Sequence, residues 1–276
     1  MNKSKFDLSG RTALITGGAG LLGYQHALAL LACNADVVLT DINEDLLFKA
    51  TKRIRAETSR RNVENILMDV TDENNVRNVS LNLKYANKKV DILINNAAID
   101  SKVDKENNIS NSSRLEKFEV ADWDRQLAVG LKGAFICSKI FGHEMSLNGG
   151  GVILNIASDL SVIAPDQRLY SGAANNVSES ATKPVTYSVI KHGLIGLTKY
   201  LATYWPDKNV RCNALSPGGV FNNQDSDFVN RIQNLIPLGR MAEVDEYQAA
   251  VQFLCSDASA YMTGQNLVLD GGRSVW

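Results

Sequence analysis

Tyr187-Ser188-Val189-Ile190-Lys191 sets a phenol and an amine four residues apart, where an apolar-periodic run begins (Tyr187, Ile190, Leu194, Leu197, Leu201). On a helix, positions i and i+4 share one face about 5–6 Å apart. A phenol ordinarily ionises near about pH 10, and a cation held beside it stabilises the phenolate and lowers that value. The pair is therefore built as an acid/base that works closer to neutrality. The spacing alone is common on helices, so its meaning depends on the rest of the chain.

A second chemical element lies behind the first apolar run: Thr16-Gly17-Gly18-Ala19-Gly20-Leu21-Leu22-Gly23. Gly18, Gly20 and Gly23 form G-x-G-x-x-G between a strand and a helix. Such glycines allow a tight turn, close backbone approach to a pyrophosphate and close helix–strand packing. The free N–H groups and positive dipole end of the helix then face the anion. Asp41 closes the next strand, 21 residues after Gly20. A carboxylate there binds ribose hydroxyls and repels a 2′-phosphate. With no Lys or Arg in the loop, and Ile42 following Asp41, the reading favours NAD over NADP. Asp41 has a competing assignment as a helix N-cap, a role that Asn43 can fill instead.

These groups need a scaffold. Strands are expected at Thr12–Thr16, Asp36–Thr40, Asn65–Met68, Val90–Ile94, Val152–Ile156, Val210–Leu215 and Asn266–Leu269. Helices are expected at Leu21–Cys33, Glu44–Glu57, Glu73–Tyr85, Asp122–Ser146, Thr186–Tyr204 and Val244–Leu254. Several strands are almost wholly apolar, as when both faces are covered. Strand–helix alternation predicts an α/β fold with one doubly wound parallel sheet of about seven strands. Two stretches, at 100–117 and 159–184, are long for connections and leave the carboxyl edge of the sheet, where such folds bind ligands.

With 276 residues, 45% hydrophobic and net charge −1, the chain suits a single domain spanning 1–276. The balanced charge gives no footprint for nucleic acid or membrane surfaces, and no apolar run is long enough to span a bilayer. The first residues, Met1-Asn2-Lys3-Ser4-Lys5, lack a secretory apolar core, so a cytoplasmic location is expected. Cys33, Cys137, Cys212 and Cys255 are scattered within apolar segments, which predicts reduced core thiols. His26, His143 and His192 show no metal-ligand spacing, and no metal is expected.

Motifs in family order accompany these elements: Asp69-Val70, Asn95-Asn96-Ala97-Ala98, Asn155-Ile156-Ala157-Ser158, Tyr187–Lys191, Pro217-Gly218-Gly219-Val220 and Asp270-Gly271-Gly272. From about Leu8 to Gly272 the chain resembles the short-chain dehydrogenase/reductase family. The resemblance implies that Tyr187 is the general acid/base, that Lys191 lowers its pKa and holds the nicotinamide ribose, and that Ser158 hydrogen-bonds the reacting oxygen. It further implies that Gly17, Gly18, Gly20, Leu22, Gly23, Asp41 and Ile42 line the adenosine side of the cofactor. Asp69, Val70, Asn95, Ala97, Pro217, Gly218 and Val220 would complete the cleft. The implied activity interconverts a secondary alcohol and a ketone. The long polar loops, with Lys102, Arg114, Arg168 and Lys183, suggest a sugar or sugar-phosphate substrate; the same cations can equally be plain solvated charges. The family also implies a homodimer or homotetramer through the helices at Asp122–Ser146 and Thr186–Tyr204.

Four departures qualify the resemblance. The glycine spacing follows the family's extended branch rather than the branch in which Leu21 would be Gly. Gly130 stands where the family has an Asn that holds a water of the proton relay; the relay is either rebuilt or the activity lowered. Tyr187 lies 29 residues after Ser158, which makes Tyr170 a rival and implies an insertion between roughly Asp166 and Pro184. Tyr170 is followed four residues later by Ala174 rather than a cation. After Pro217-Gly218 no Thr follows, leaving Asn222 as a candidate contact and 223–236 as an expected mobile substrate loop. Two other readings stay open: a cofactor-binding protein without turnover, and a lyase or epimerase that uses NAD transiently.

Overall fold

The computed structural model describes residues 4–59, 62–99, 113–170 and 181–276. Seven parallel strands, β1 (Thr12–Thr16), β2 (Asp36–Asp41), β3 (Val63–Leu67), β4 (Val90–Asn95), β5 (Gly151–Ile156), β6 (Val210–Pro217) and β7 (Asn266–Leu269), form one sheet in the order β3-β2-β1-β4-β5-β6-β7. The chain reverses direction across the sheet between β1 and β4, so Thr16 and Asn95 end adjacent strands at a crevice. Side chains alternate between two buried faces. Ala13 and Ile15 of β1 join one apolar cluster, and Leu14 joins the other. That two-sided burial is why the strands read as continuous apolar runs.

One face is covered by α1 (Leu21–Ala32), α2 (Glu44–Thr58) and α8 (Gln248–Cys255). The other carries α3 (Glu73–Tyr85), α5 (Gly133–Leu147) and α6 (Val185–Tyr204). Helix α1 is apolar nearly all round because it is packed between the sheet and α8. Helix α2 starts where the Asn43 side chain accepts from Leu46 N at 3.0 Å, and α3 where Asp72 accepts from Asn74 N at 2.9 Å. Cys137, Cys212 and Cys255 are buried in the two clusters, and burial pushes each thiol up to about 12.

The expected elements stand, with several bounds shifted, most at α8, which begins at Gln248 rather than Val244, and with two changes of kind. Strand β3 begins at Val63, two residues before the expected start. The segment expected as one helix at 122–146 is α4 (Val120–Leu127), a π turn at Ala128–Lys132, and then α5. Gly130 and Gly133 lie within and just after that turn, against the Ile190 and Val70 side chains. The segment expected as a mobile loop at 223–236 carries α7 (Ser226–Gln233). Asp225 caps it by accepting from Asp227 N at 3.1 Å, and Phe228, Val229 and Ile232 pack it down. Among the described residues, no helix is long and apolar enough to cross a membrane.

Candidate active site

The glycine loop is shaped by what surrounds it. A Cβ on Gly23 would lie 2.3 Å from Gly17 O, and one on Gly17 would lie 2.8 Å from Ala97 Cα. Gly17 also has φ of 61°, a left-handed conformation that favours glycine. Thr16 and Asn96 stitch the loop to the end of β4. Thr16 Oγ1 accepts from Asn96 N and Ala97 N, each at 3.0 Å, while Asn96 Nδ2 donates to Thr16 O and Gly17 O, each at 3.0 Å. The N-cap of α1, Gly20, has no side chain to satisfy the first-turn N–H groups, and no acidic residue stands in that turn. Those donors and the positive helix end suit a pyrophosphate.

Asp41 sits beside this cradle. Its Oδ2 accepts from Ala19 N at 3.2 Å and its Oδ1 from Asn43 N at 3.1 Å. Since Asn43 caps α2, Asp41 is not the cap and its carboxylate faces the loop. Ile42 is exposed next to it. The donor set therefore fits a dinucleotide. Asp69 Oδ1 closes its own turn, accepting from Thr71 N and Oγ1 at 2.8 Å each, and Val70 is buried beneath Gly133. Farther along the crevice, Tyr247 Oη donates to Gly218 O at 3.1 Å, and Gly218 packs on Asp270 so closely that a Cβ would be 2.8 Å from its Cα. Val220 bridges to Ala242, and Gln224 Nε2 donates to Val220 O at 2.8 Å. Pro217 ends β6 at the same edge.

The chemistry-bearing side chains converge from β5 and α6. Lys191 is buried, and its Nζ donates to Ile156 O at 2.9 Å while lying 5.5 Å from the Tyr187 ring centroid. Ile156 ends β5, two residues before Ser158, so one lysine ties the helix to the strand end that carries Ser158. A second ammonium, Lys183 Nζ, lies 3.8 Å from the Tyr187 ring centroid. The rival Tyr170 packs elsewhere, 5.8 Å from the Phe228 ring in the cluster under α7. Deeper in the sheet, Asn95 Nδ2 donates to Ser138 Oγ at 2.9 Å and Asn155 Oδ1 at 2.8 Å, and Asn155 Nδ2 donates to Thr198 Oγ1 at 2.8 Å.

Two residue pairs escaped sequence reasoning. Asp159 accepts from Ser158 Oγ at 2.7 Å and, through its other oxygen, from Arg273 Nη1 at 2.7 Å. No spacing links residues 114 apart, so the pair had no sequence signal. Gln126 and Thr186 form a second buried pair between α4 and α6. The long loops are also joined: Thr182 N donates to Ser113 Oγ at 3.0 Å, and Thr182 Oγ1 to Ser113 O at 2.8 Å. Of their cations, Arg168 is gripped by Asp166 and Arg114 by Glu116. Lys102, and the loop parts at 100–112 and 171–180, lie outside the described residues.

Gly130 is filled by a neighbour. A Cβ there would lie 2.8 Å from Ile190 Cγ2 and 3.1 Å from Ile190 Cδ1. Ile190 thus occupies the space an Asn would need. Restoring the family residue alone is expected to overpack the site and cost about 1–3 kcal/mol. Thermal unfolding of Gly130→Asn beside Gly130→Asn/Ile190→Ala checks this, and equal stability of Gly130→Asn and the parent would refute it.

Residues 18–274 match the family model described as enoyl-(acyl carrier protein) reductase. The chain belongs to the short-chain dehydrogenase/reductase family. As a member, it is an oxidoreductase acting on CH–OH groups. A relative is the NAD-dependent glycerol dehydrogenase of Listeria innocua, 31% identical over 98% of this chain and 96% of the relative. The D-threitol dehydrogenase of Mycolicibacterium smegmatis is 30% identical over 98% of this chain and 95% of its own. Among solved structures, a gluconate 5-dehydrogenase from Burkholderia cenocepacia in complex with NADP and tartrate superposes with a TM-score of 0.84 at 28% identity, covering 99% of this chain and 98% of its own. This short-chain dehydrogenase/reductase therefore shares its whole architecture with enzymes that bind NAD or NADP.

Proposed function

We propose that the protein uses NAD to interconvert a secondary alcohol and a ketone on a polyol or sugar, with Ser158, Tyr187 and Lys191 as the reacting set. The observation that carries the reading is Lys191, whose ammonium ties the end of β5 to α6 while facing Tyr187. Bound NAD would supply the hydride acceptor. Gly17, Gly18, Gly20, Leu22 and Gly23 would hold its pyrophosphate, and Asp41 and Ile42 its adenosine end. Asp69, Val70, Asn95, Ala97, Pro217, Gly218 and Val220 would line the remaining cleft. Tyr187 takes the substrate hydroxyl proton, because two ammonium groups beside its ring favour the phenolate. Ser158 holds the substrate oxygen. The glycerol, threitol and gluconate relatives support a polyhydroxylated substrate. Local pairing of Arg168 and Arg114 weakens the case for a phosphorylated one.

The same reading has one domain over residues 1–276, with long active-site loops at about 100–117 and 159–184. It has a homodimer or homotetramer joined through α5 and α6, where Phe135, Tyr200 and Tyr204 are exposed. Buried free thiols suit a reducing cytoplasm. The test is reduced-nicotinamide absorbance on mixing the protein with NAD and glycerol, threitol or gluconate. Turnover of none of them or their stereoisomers would sink the reading.

Cofactor choice is tested at Asp41. Hydrogen bonds to a charged group contribute about 1.5–3 kcal/mol, so Asp41→Ala should weaken NAD roughly 10–100-fold while NADP, relieved of the carboxylate's repulsion, binds more tightly. Titration with the two reduced cofactors, followed by nicotinamide fluorescence, reads both affinities. Equal affinity of the parent for the two cofactors would overturn the assignment.

A further inference from the structure

Ser158 does not stand alone at the end of β5. Its Oγ lies 2.7 Å from Asp159 Oδ1, and Leu160 N donates to Ser158 Oγ at 3.2 Å and to Asp159 Oδ1 at 2.8 Å. Asp159 Oδ2 accepts from Arg273 Nη1 at 2.7 Å, with the side chains 4% and 8% exposed. A free serine hydroxyl samples several rotamers and turns its proton to any acceptor. Here a carboxylate, the stronger kind of acceptor, and Leu160 N–H fix the Oγ rotamer before substrate arrives, and the hydroxyl turns its proton from Asp159 to the substrate oxygen as that oxygen gives its own proton to Tyr187.

A buried ion pair is weak evidence of stabilisation, because well-packed apolar residues of similar volume often do as well. Its placement against Ser158 therefore points to the reaction. We propose that Asp159, held by Arg273, is a positioning residue that fixes the Ser158 Oγ where the substrate oxygen binds. The inference rests on the reading of Ser158 as the residue that holds the substrate oxygen. The segment that carries Arg273 is tied to the stretch after α7: Leu238 N donates to Gly271 O at 3.1 Å, and Trp276 Nε1 to Leu235 O at 3.1 Å. The segment at 270–276 thus joins the stretch after α7 to Ser158 through one carboxylate.

The experiment is a set of variants assayed with NAD and a polyol that the parent oxidises. In Asp159→Asn an amide cannot accept at both positions, so either the Ser158 or the Arg273 contact is lost. The charge-free pair Asp159→Asn/Arg273→Gln removes the isolated guanidinium and should recover the unfolding temperature. Both variants are expected to bind reduced nicotinamide cofactor like the parent, by fluorescence, yet to lose about 10–100-fold in kcat/KM, as for a misplaced reacting group. On a Ser158→Ala background the Asp159→Asn change should cost no further activity beyond about twofold, since residues acting through one another are non-additive. A merely structural role predicts otherwise. Parental kcat/KM in the charge-free pair, or a full multiplicative loss on the Ser158→Ala background, overturns the proposal. A parent idle on every polyol defeats the functional reading itself, and this inference with it.

Discussion

Tyr187→Phe should lower turnover by about 10²–10⁴-fold, the usual share of a positioned general acid/base, while cofactor affinity holds. The variant is clean because the ring stays. Lys183 Nζ at 3.8 Å and Lys191 Nζ at 5.5 Å from the centroid keep an aromatic face to rest on. The Lys191 bond to Ile156 O does not involve the hydroxyl at all. Only the proton carrier is removed. Tyr170→Phe is the matched control. Its ring packs on Phe228 under α7, so its turnover should stay within about twofold of the parent. Reduced-nicotinamide absorbance on any oxidised polyol reads both. An active Tyr187→Phe with an idle Tyr170→Phe would reverse the assignment of the reacting tyrosine.

The second large effect concerns acid. His26 lies on α1 and is fully buried, with neither ring nitrogen bonded among the described residues. Burial alone holds its imidazole down at about 4, against an ordinary 6.5. Between those two values the unfolded chain binds a proton that the folded chain refuses. Stability therefore falls as pH drops through that window and, for this group, changes no further below about 4. The full difference is about 3 kcal/mol, worth roughly 5–10 °C in unfolding temperature. His26→Leu should flatten that part of the acid limb and shift the acid midpoint downward. Unfolding melts at pH 7 and pH 4.5 for both proteins decide it. An unchanged difference between the two pH values would show that His26 carries none of the acid sensitivity.

Much of the fold was legible because its strands are buried on both faces and because α2 and α3 start at side-chain caps. The bounds of β1 and β7, and the starts of α2 and α3, agree with the expected ones. The glycine loop was legible for a local reason: the crowding that forbids a side chain at Gly17 and Gly23 is written directly as glycine. The Tyr187–Lys191 pair was legible because helical spacing fixes its proximity. What stayed hidden depends on packing between distant segments. The Asp159–Arg273 pair joins the end of β5 to the stretch after β7, and nothing in either neighbourhood announces it. The π turn was hidden because Ala128–Lys132 has ordinary helical composition apart from Gly130, and the turn suits the fit against Ile190. Helix α7 is short and polar on its outer face, so its pattern resembled a loop.

The buried thiols described with the sheet have a practical consequence. Cys137 on α5, Cys212 on β6 and Cys255 on α8 are buried in the layers on the two faces of the sheet, while Cys33 is only partly covered. Alkylating and disulfide reagents attack thiolates, which these three sites suppress until the layers separate. The chain therefore carries its own chemical clock. The rate at which the slow thiols react reports how often each layer lifts from the sheet, with no probe added and no change to the reacting residues.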